Sequence, residues 1–368
     1  MRLIPAISSM TGKRSRKRMR SNLVSIPTKA ELAPKRGFIK RTGRTISLWL
    51  AKMAGINETP DFSGLLKDKK VTIIDVGARD GFHPRWNQLG NSLRIILFEP
   101  DTDGYNDLLE IYKNDERVKI YNAALSDNDS NITIHVATFP YSSSAFKHDE
   151  TFFSNLNFRE FYKTVDTVNI PCKKLEDVVQ ARFDFIKLDV EGFELAILKG
   201  AGDLLDTCLG IEAEVSYNRW AEGLPLFGDV DSFCKSKGFI LCRISPPTCY
   251  HYIVPDTRLE AHGITFSGDA LYFRPPYSIV ELIRANKWSI ERIPAAIATY
   301  LTYGNFEFAY VFIEEAINEK LLNENDELVK EAYRLIGQRS GWNKMIGLST
   351  LKRIKKLLRA KSPDGLDY

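Results

Sequence analysis

The stretch FDFIKLDVEGFELAILKGA, Phe183 to Ala201, constrains the fold of this chain more than any other. Phe183 to Leu188 is a short apolar run with Lys187 as its main polar interruption, which suits a buried parallel strand better than a helix. Leu195, Leu198 and Ala201 then recur at three-residue spacing, and Gly200 with Gly202 supplies a helix exit. Between strand and helix stand Asp189, Glu191 and Glu194, with Gly192 among them. Ligands of open parallel sheets bind beyond the carboxyl ends of the strands, so these acids lie where chemistry is expected. A single acid there can simply cap the helix, but one cap does not need three.

The rest of the chain is read around this unit. Val71–Val76 is β-branched and apolar and runs into Gly77-Ala78-Arg79-Asp80-Gly81. A second run, Arg94 to Phe98, ends at Glu99-Pro100-Asp101, and a helix bearing Leu108, Leu109 and Tyr112 follows. A third candidate strand is Val118 to Tyr121, before Asn122-Ala123-Ala124-Leu125-Ser126. Strand alternating with helix predicts right-handed crossovers and a doubly wound α/β sheet. Ile132 to Val136 alternates like an antiparallel strand, with Thr167 to Ile170 as its partner across a long aromatic-rich loop, roughly 138–165, that contains Ser142-Ser143-Ser144. Further strands are expected at Leu209–Val215, Phe239–Ile244 and Ala270–Phe273, with a helix around Val230–Lys237.

The organisation expected is a basic arm over 1–45, a short helix and linker over 46–66, the α/β domain over 67–276, and a helical appendage over 277–368. The arm carries thirteen Lys and Arg against the single acid Glu31, so the remainder is net acidic although the whole chain is +4. Such a segment is most simply a disordered arm; contact with anionic lipid, nonspecific nucleic-acid binding and an organellar address compete with that reading. Leu348 to Lys361 sets Leu351, Ile354, Leu357 and Leu358 against six Lys and Arg, a basic amphipathic helix suited to packing on its own domain, a membrane surface or a partner. Membrane-surface contact through 1–45 and 348–361 is therefore an expectation, and nucleic acid is disfavoured. No apolar run of about 18 residues is present. The five cysteines form no CxxC pair and are read as reduced, mostly buried thiols of a cytoplasmic protein.

The junction chemistry narrows the ligand. Asp75-Val-Gly77-Ala-Arg79-Asp-Gly81 has two glycines after a strand, which let a ligand approach closely, but it lacks the GxGxxG turn of a dinucleotide site. An acid at the end of each of the first two strands suits a nucleoside without a pyrophosphate. Glu99 can accept from both ribose hydroxyls, and the region around Asp75 can serve a cationic amino-acid moiety.

Taken in order, DVGARDG, FEPD, NAALSD, KLEDVV leading into FDFIKLDVEGFELAILKGA, and IEAEVSY resemble the FkbM-type methyltransferases, enzymes that use S-adenosylmethionine. The resemblance covers about 71–274 and is most specific at KLDVEGFELAILKGA. It implies a Rossmann-like seven-stranded class I methyltransferase sheet with one antiparallel strand, and transfer of a methyl group to a hydroxyl, commonly of a sugar or glycoside. It places Asp75, Gly77, Ala78 and Gly81 around the methionine part of the cofactor, Glu99 on the ribose, and Ala124, Leu125 and Ser126 about the adenine. Arg79 stands where the family more often has Asn, so contacts there are expected to differ. Asp189 and Glu191 are the candidate bases, and Glu194 and Glu214 are candidate acceptor-side acids. His83, His251 and His262 are alternative bases, and Mg²⁺ is left open without assigned ligands. The competing readings are a catalytically silent methyltransferase-like scaffold and, less well supported, a nicotinamide-dependent dehydrogenase.

Overall fold

The computed structural model describes residues 60–254 and 262–339. The chain divides into two units, Met1–Thr59 and Pro60–Tyr368, and all described residues belong to the second. The basic arm, the short helix near residue 50 and the amphipathic helix of 348–361 lie outside the described residues. Among those described, no helix is long and apolar enough to cross a membrane.

The strands among the described residues are β1 Val71–Val76, β2 Leu93–Phe98, β3 Val118–Tyr121, β4 Ala124–Ser126, β5 Ser130–Ala137, β6 Thr164–Lys174, β7 Phe185–Leu188, β8 Gly210–Ser216, β9 Ile240–Ile244, β10 Thr248–Tyr250 and β11 Ile264–Phe273. The main sheet has the order β10-β11-β8-β7-β1-β2-β3, with β9 also paired to β11. Pairing is parallel from β3 through β8, and β11 runs against its neighbours. At the edge of this sheet β9 and β10 lie along the same antiparallel partner, β11, and are separated by Ser245-Pro246-Pro247. Two prolines lack the N–H groups a ladder needs, so a single edge position is divided into two segments. The sheet is thus the expected doubly wound, Rossmann-like one with a reversed strand.

Seven helices matter here: α1 Thr102–Ile111, α2 Glu194–Gly200, α3 Phe227–Ser236, α4 Pro276–Arg284, α5 Ile293–Thr302, α6 Phe306–Asn318 and α7 Glu327–Arg339. Alternation along the strands sorts side chains between two cores. Ile74, Val76, Phe98, Ile186 and Leu188 pack with Ile197 and Leu198 of α2 and Val230 and Cys234 of α3. Ile73, Ile95, Leu97 and Phe185 face the other way, against Trp86, Ala296, Ile297, Phe312 and Val329.

The helices after residue 276 therefore share a core with the sheet instead of forming a separate one, and so do Phe62, Leu65 and Leu66. The segment between β1 and β2 offers only the 3-10 stretch Pro84–Ser92, too little to cover that face, and α5, buried along nearly its whole length, fills the space. Polar ties reinforce the junction: Arg292 pairs with Asp184 at 2.6 Å, Trp288 Nε1 donates to the Thr207 carbonyl, and Tyr300 Oη to that of Arg274.

A second sheet, β4-β6-β5, carries the expected antiparallel pairing, with Ile132 opposite Ile170. Its third member, β4, is three residues long and too short to show a pattern. The loop between β5 and β6 folds over the carboxyl ends of β7 and β8. Phe153, Leu156 and Tyr162 form a third core there with Trp220, Leu224 and Phe266.

Candidate active site

Register places a charged row across the sheet. Asp75 on β1 lies beside Lys187 on β7, which lies beside Glu212 on β8. This explains the polar interruption in the β7 run. Lys187 Nζ is 3.7 Å from Asp75 Oδ1 and 3.1 Å from Asp189 Oδ2. Burial works to lower the lysine's pKa, but the Asp75 and Asp189 carboxylates outweigh it and hold the ammonium charged. Burial likewise raises Asp75 to about 6 against the pull of Lys187. Glu212 is taken up by Arg85 at 3.2 Å and by Tyr303 Oη at 2.8 Å. Asp75 Oδ1 is buried and accepts no hydrogen bond among the described residues.

The loop after β1 starts at Gly77, where φ is +81° and a Cβ would fall on the carbonyl oxygen of Asp189. The backbone after β1 is therefore pressed against the backbone after β7, and only glycine fits. Ala78 is buried beneath, and Gly81 turns with φ +83° against the Tyr112 hydroxyl.

At the end of β2, Glu99 is buried, and its Oε1 accepts the Asp101 N–H at 2.9 Å. Burial raises its pKa, opposed by that bond and by Arg79. Asp101 caps α1 through the Gly104 N–H at 3.0 Å and pairs with Arg79 at 2.9 Å. Arg79 thus ties the glycine loop to the start of α1. Asn122, which has no assigned role in the sequence, donates to the carbonyls of Glu99 and Pro100 at 2.9 and 3.1 Å. The signal that could have found it is its position, immediately after the third strand.

Ala124, Leu125 and Ser126 do not present an open face to this crevice. All three are buried, Leu125 lies in the core under the sheet, and the Ser126 carbonyl abuts Gly200 at the far end of α2. The physical reason is that β4 turns away to pair with β6.

The acids gather at the ends of β7 and β8. Asp189 is exposed, with 47% of its side chain accessible. Glu191 takes φ +54° and is half-buried; burial first, then the charges of Asp189 and Glu194, push its pKa well above the usual carboxylate range. Glu214 is pushed the same way by burial and by Glu191, Asp189 and Glu194. Burial and the repulsion of the neighbouring acids therefore disfavour a negative charge on both at once.

Glu194 has a different task. It is buried, and its Oε1 accepts the N–H groups of Val190 and Gly192 at 3.0 and 3.3 Å, so it shapes the turn and offers no open face to an acceptor. Burial, partly offset by those bonds, raises it from 4.5 to about 7. A raised acid binds more protons when folded, so its stabilising effect is complete below about pH 4.5 and is lost as pH rises through 7. Glu194→Gln keeps the acceptor oxygen and removes the charge; it is expected to stabilise the protein by about 1–3 kcal/mol at pH 8 and not at pH 4, measured by denaturant unfolding.

Among the histidines, His83 Nδ1 accepts the Arg85 N–H at 3.1 Å and caps the following 3-10 stretch, while His148, inconspicuous in the sequence, is buried against Trp220, Phe153 and Tyr162. Tyr162 and Tyr250 hydrogen-bond to each other beside the acids. Although several carboxylates share the crevice, among the described residues no three His, Cys, Asp or Glu side chains are grouped to hold a metal ion.

Residues 75–241 match the family model of the methyltransferase FkbM domain. No curated protein matches the chain. Among solved structures, a methyltransferase FkbM from Methylobacillus flagellatus is similar at 19% identity over 58% of this chain and 48% of its own, with a TM-score of 0.32. Magnesium protoporphyrin IX methyltransferase from Synechocystis, with bound SAM, is similar at 9% identity over 63% and 78%, TM-score 0.28. Precorrin-6y C5,15-methyltransferase from Geobacter metallireducens is similar at 10% over 58% and 85%, TM-score 0.30. The chain spans about half the length of the Methylobacillus protein. The matched stretch contains the glycine loop, Glu99 and the acid turn, and this part of the chain is similar to the methyltransferase FkbM domain.

Proposed function

We propose that the protein is an S-adenosylmethionine-dependent O-methyltransferase whose acceptor is a hydroxyl of a sugar or glycosylated molecule. The observation that carries this reading is the meeting, at one crevice, of a nucleoside-type half and an acid half. Asp75 Oδ1, without a hydrogen-bond partner among the described residues, is suited to the cofactor's ammonium group, and Glu99 to its ribose. Gly77 and Gly81, at positive φ, let the loop between these two acids turn tightly against Asp189 and Tyr112. The bound cofactor supplies an electrophilic methyl on a sulfonium, which leaves as a neutral thioether. The chain's own part is to align the acceptor oxygen with that methyl and to take its proton. Glu191 has the basicity to receive that proton because burial raises it, as it does Glu214. Asp189, exposed and held by Lys187, is suited to orient the incoming hydroxyl.

The overlying loop offers a surface for the rest of the acceptor. Rings follow one another from Tyr141 through Phe139, Phe161 and Phe158 to Tyr250, with centroids 5.0, 4.9, 5.4 and 5.9 Å apart. Tyr141, Phe158 and Phe161 are 41%, 51% and 41% exposed. Such faces suit the C–H side of a sugar ring.

Calorimetric titration with S-adenosylhomocysteine, beside NADH, tests the cofactor half. Micromolar binding of the former is expected, weakened about 10–100-fold by Glu99→Ala, the worth of hydrogen bonds to a buried charge. Absence of binding by the wild type, or preference for NADH, sinks the reading.

A further inference from the structure

We propose that Ser144 is a positioning residue for Glu191, and that Tyr141 to Ser144 forms a strut joining the cofactor loop to the acid turn. The inference deepens the reading of Glu191 as proton acceptor and rests on it.

At one end of the strut, Tyr141 Oη donates to Asp80 Oδ1 at 2.9 Å, and its ring lies 5.8 Å from the guanidinium of Arg79. At the other end, Ser144 Oγ donates to the main-chain carbonyl of Glu191 at 2.6 Å while accepting the Phe146 N–H at 3.0 Å. The three residue steps between these ends span at most about 10 Å. The segment is stiff. Pro140–Ser142 is a 3-10 turn, Ser143 Oγ accepts the Ala137 N–H at 3.1 Å, and Ser144 exchanges both backbone hydrogen bonds with His135.

What Ser144 grips is one peptide unit. The Glu191 carbonyl accepts from Ser144, and the N–H of the same unit, on Gly192, donates to Glu194 Oε1 at 3.3 Å. Glu191 sits at φ +54°, a conformation that costs a non-glycine residue about 1–2 kcal/mol and persists only where the surroundings impose it. Ser144 is what holds that carbonyl from the loop side of the turn. Without its hydroxyl that peptide keeps only the Gly192 N–H bond to Glu194, and the strained Glu191 backbone can relax and turn its carboxylate toward water. The charged and titratable groups bearing on Glu191 are Asp189 and Glu194 on its own turn, Glu214 on β8, Tyr162 in the overlying loop and Tyr250 on β10.

The test is a carboxyl ¹³C NMR titration of Glu191, assigned with Glu191→Gln, in the full chain with and without S-adenosylhomocysteine. Ser144→Ala is expected to lower the Glu191 midpoint by about one pH unit, because the freed carboxylate gains water. Ser144→Thr, which keeps the hydroxyl, is expected to restore it. Ser144→Cys fills the same buried space with a weak donor and is expected to shift the midpoint downward as well, so it reads the same contact if the alanine variant does not fold. An unchanged midpoint in Ser144→Ala, or a shift in Ser144→Thr as large as in alanine, overturns the proposal. Failure of the wild type to bind S-adenosylhomocysteine overturns the cofactor reading instead, and the ligand-free titration still decides the role of Ser144.

Discussion

Gly77→Ala is expected to abolish S-adenosylhomocysteine binding and to lower stability by more than about 3 kcal/mol, because two penalties add. The methyl group would occupy the position of the Asp189 carbonyl oxygen, and φ is +81°. Neither is relieved by a side-chain rotation: the obstacle is backbone, and it directly follows β7, a strand paired with β1. Gly228→Ala is the control. Its Cβ meets nothing within 4 Å in the first turn of α3, and it is expected to be neutral or to stabilise by about 0.5 kcal/mol. Thermal unfolding and calorimetry of the two variants side by side provide the comparison. A Gly77→Ala protein that binds as well as wild type would mean that the two loops are not in contact.

Glu191→Gln is expected to reduce methyl transfer about 10²–10⁴-fold while leaving S-adenosylhomocysteine affinity within a few-fold, the range a lost general base produces. The sign of the pH dependence follows from burial. A proton acceptor must be ionised, and burial raises the Glu191 pKa, so wild-type activity rises with pH through a midpoint above that of an ordinary carboxylic acid. The variant should lose that limb. Transfer of labelled methyl groups to glycan acceptors across a pH series measures both effects. If Asp189→Asn shows the larger loss and Glu191→Gln keeps the pH limb, the proton goes to Asp189 instead.

The sheet was legible because it is built from local signals. Short β-branched runs ending in Gly or acid, at β1, β2 and β7, identify parallel strands and their carboxyl ends without reference to anything distant. Lys187 was visible only as an interruption; its partners Asp75 and Glu212 are 112 residues upstream and 25 residues downstream, and only register joins them. The appendage was legible as helices, but not its packing, for a related reason. Helical periodicity after Pro276 is real, but periodicity states which face is apolar and not what that face covers, and here it covers the sheet.

The longer strands and the helices between them, the glycine loop, Glu99 and the acids after β7 were legible in the sequence alone, since each depends on a chain segment of a few residues, whereas β4 and β10 were too short to show. Which acids are buried, that Glu194 serves the turn, that Ala124 to Ser126 face inward, and that Ser144 reaches Glu191 were decided only by the tertiary structure. Burial and charge proximity set what a carboxylate can do, and both come from residues far apart in the chain.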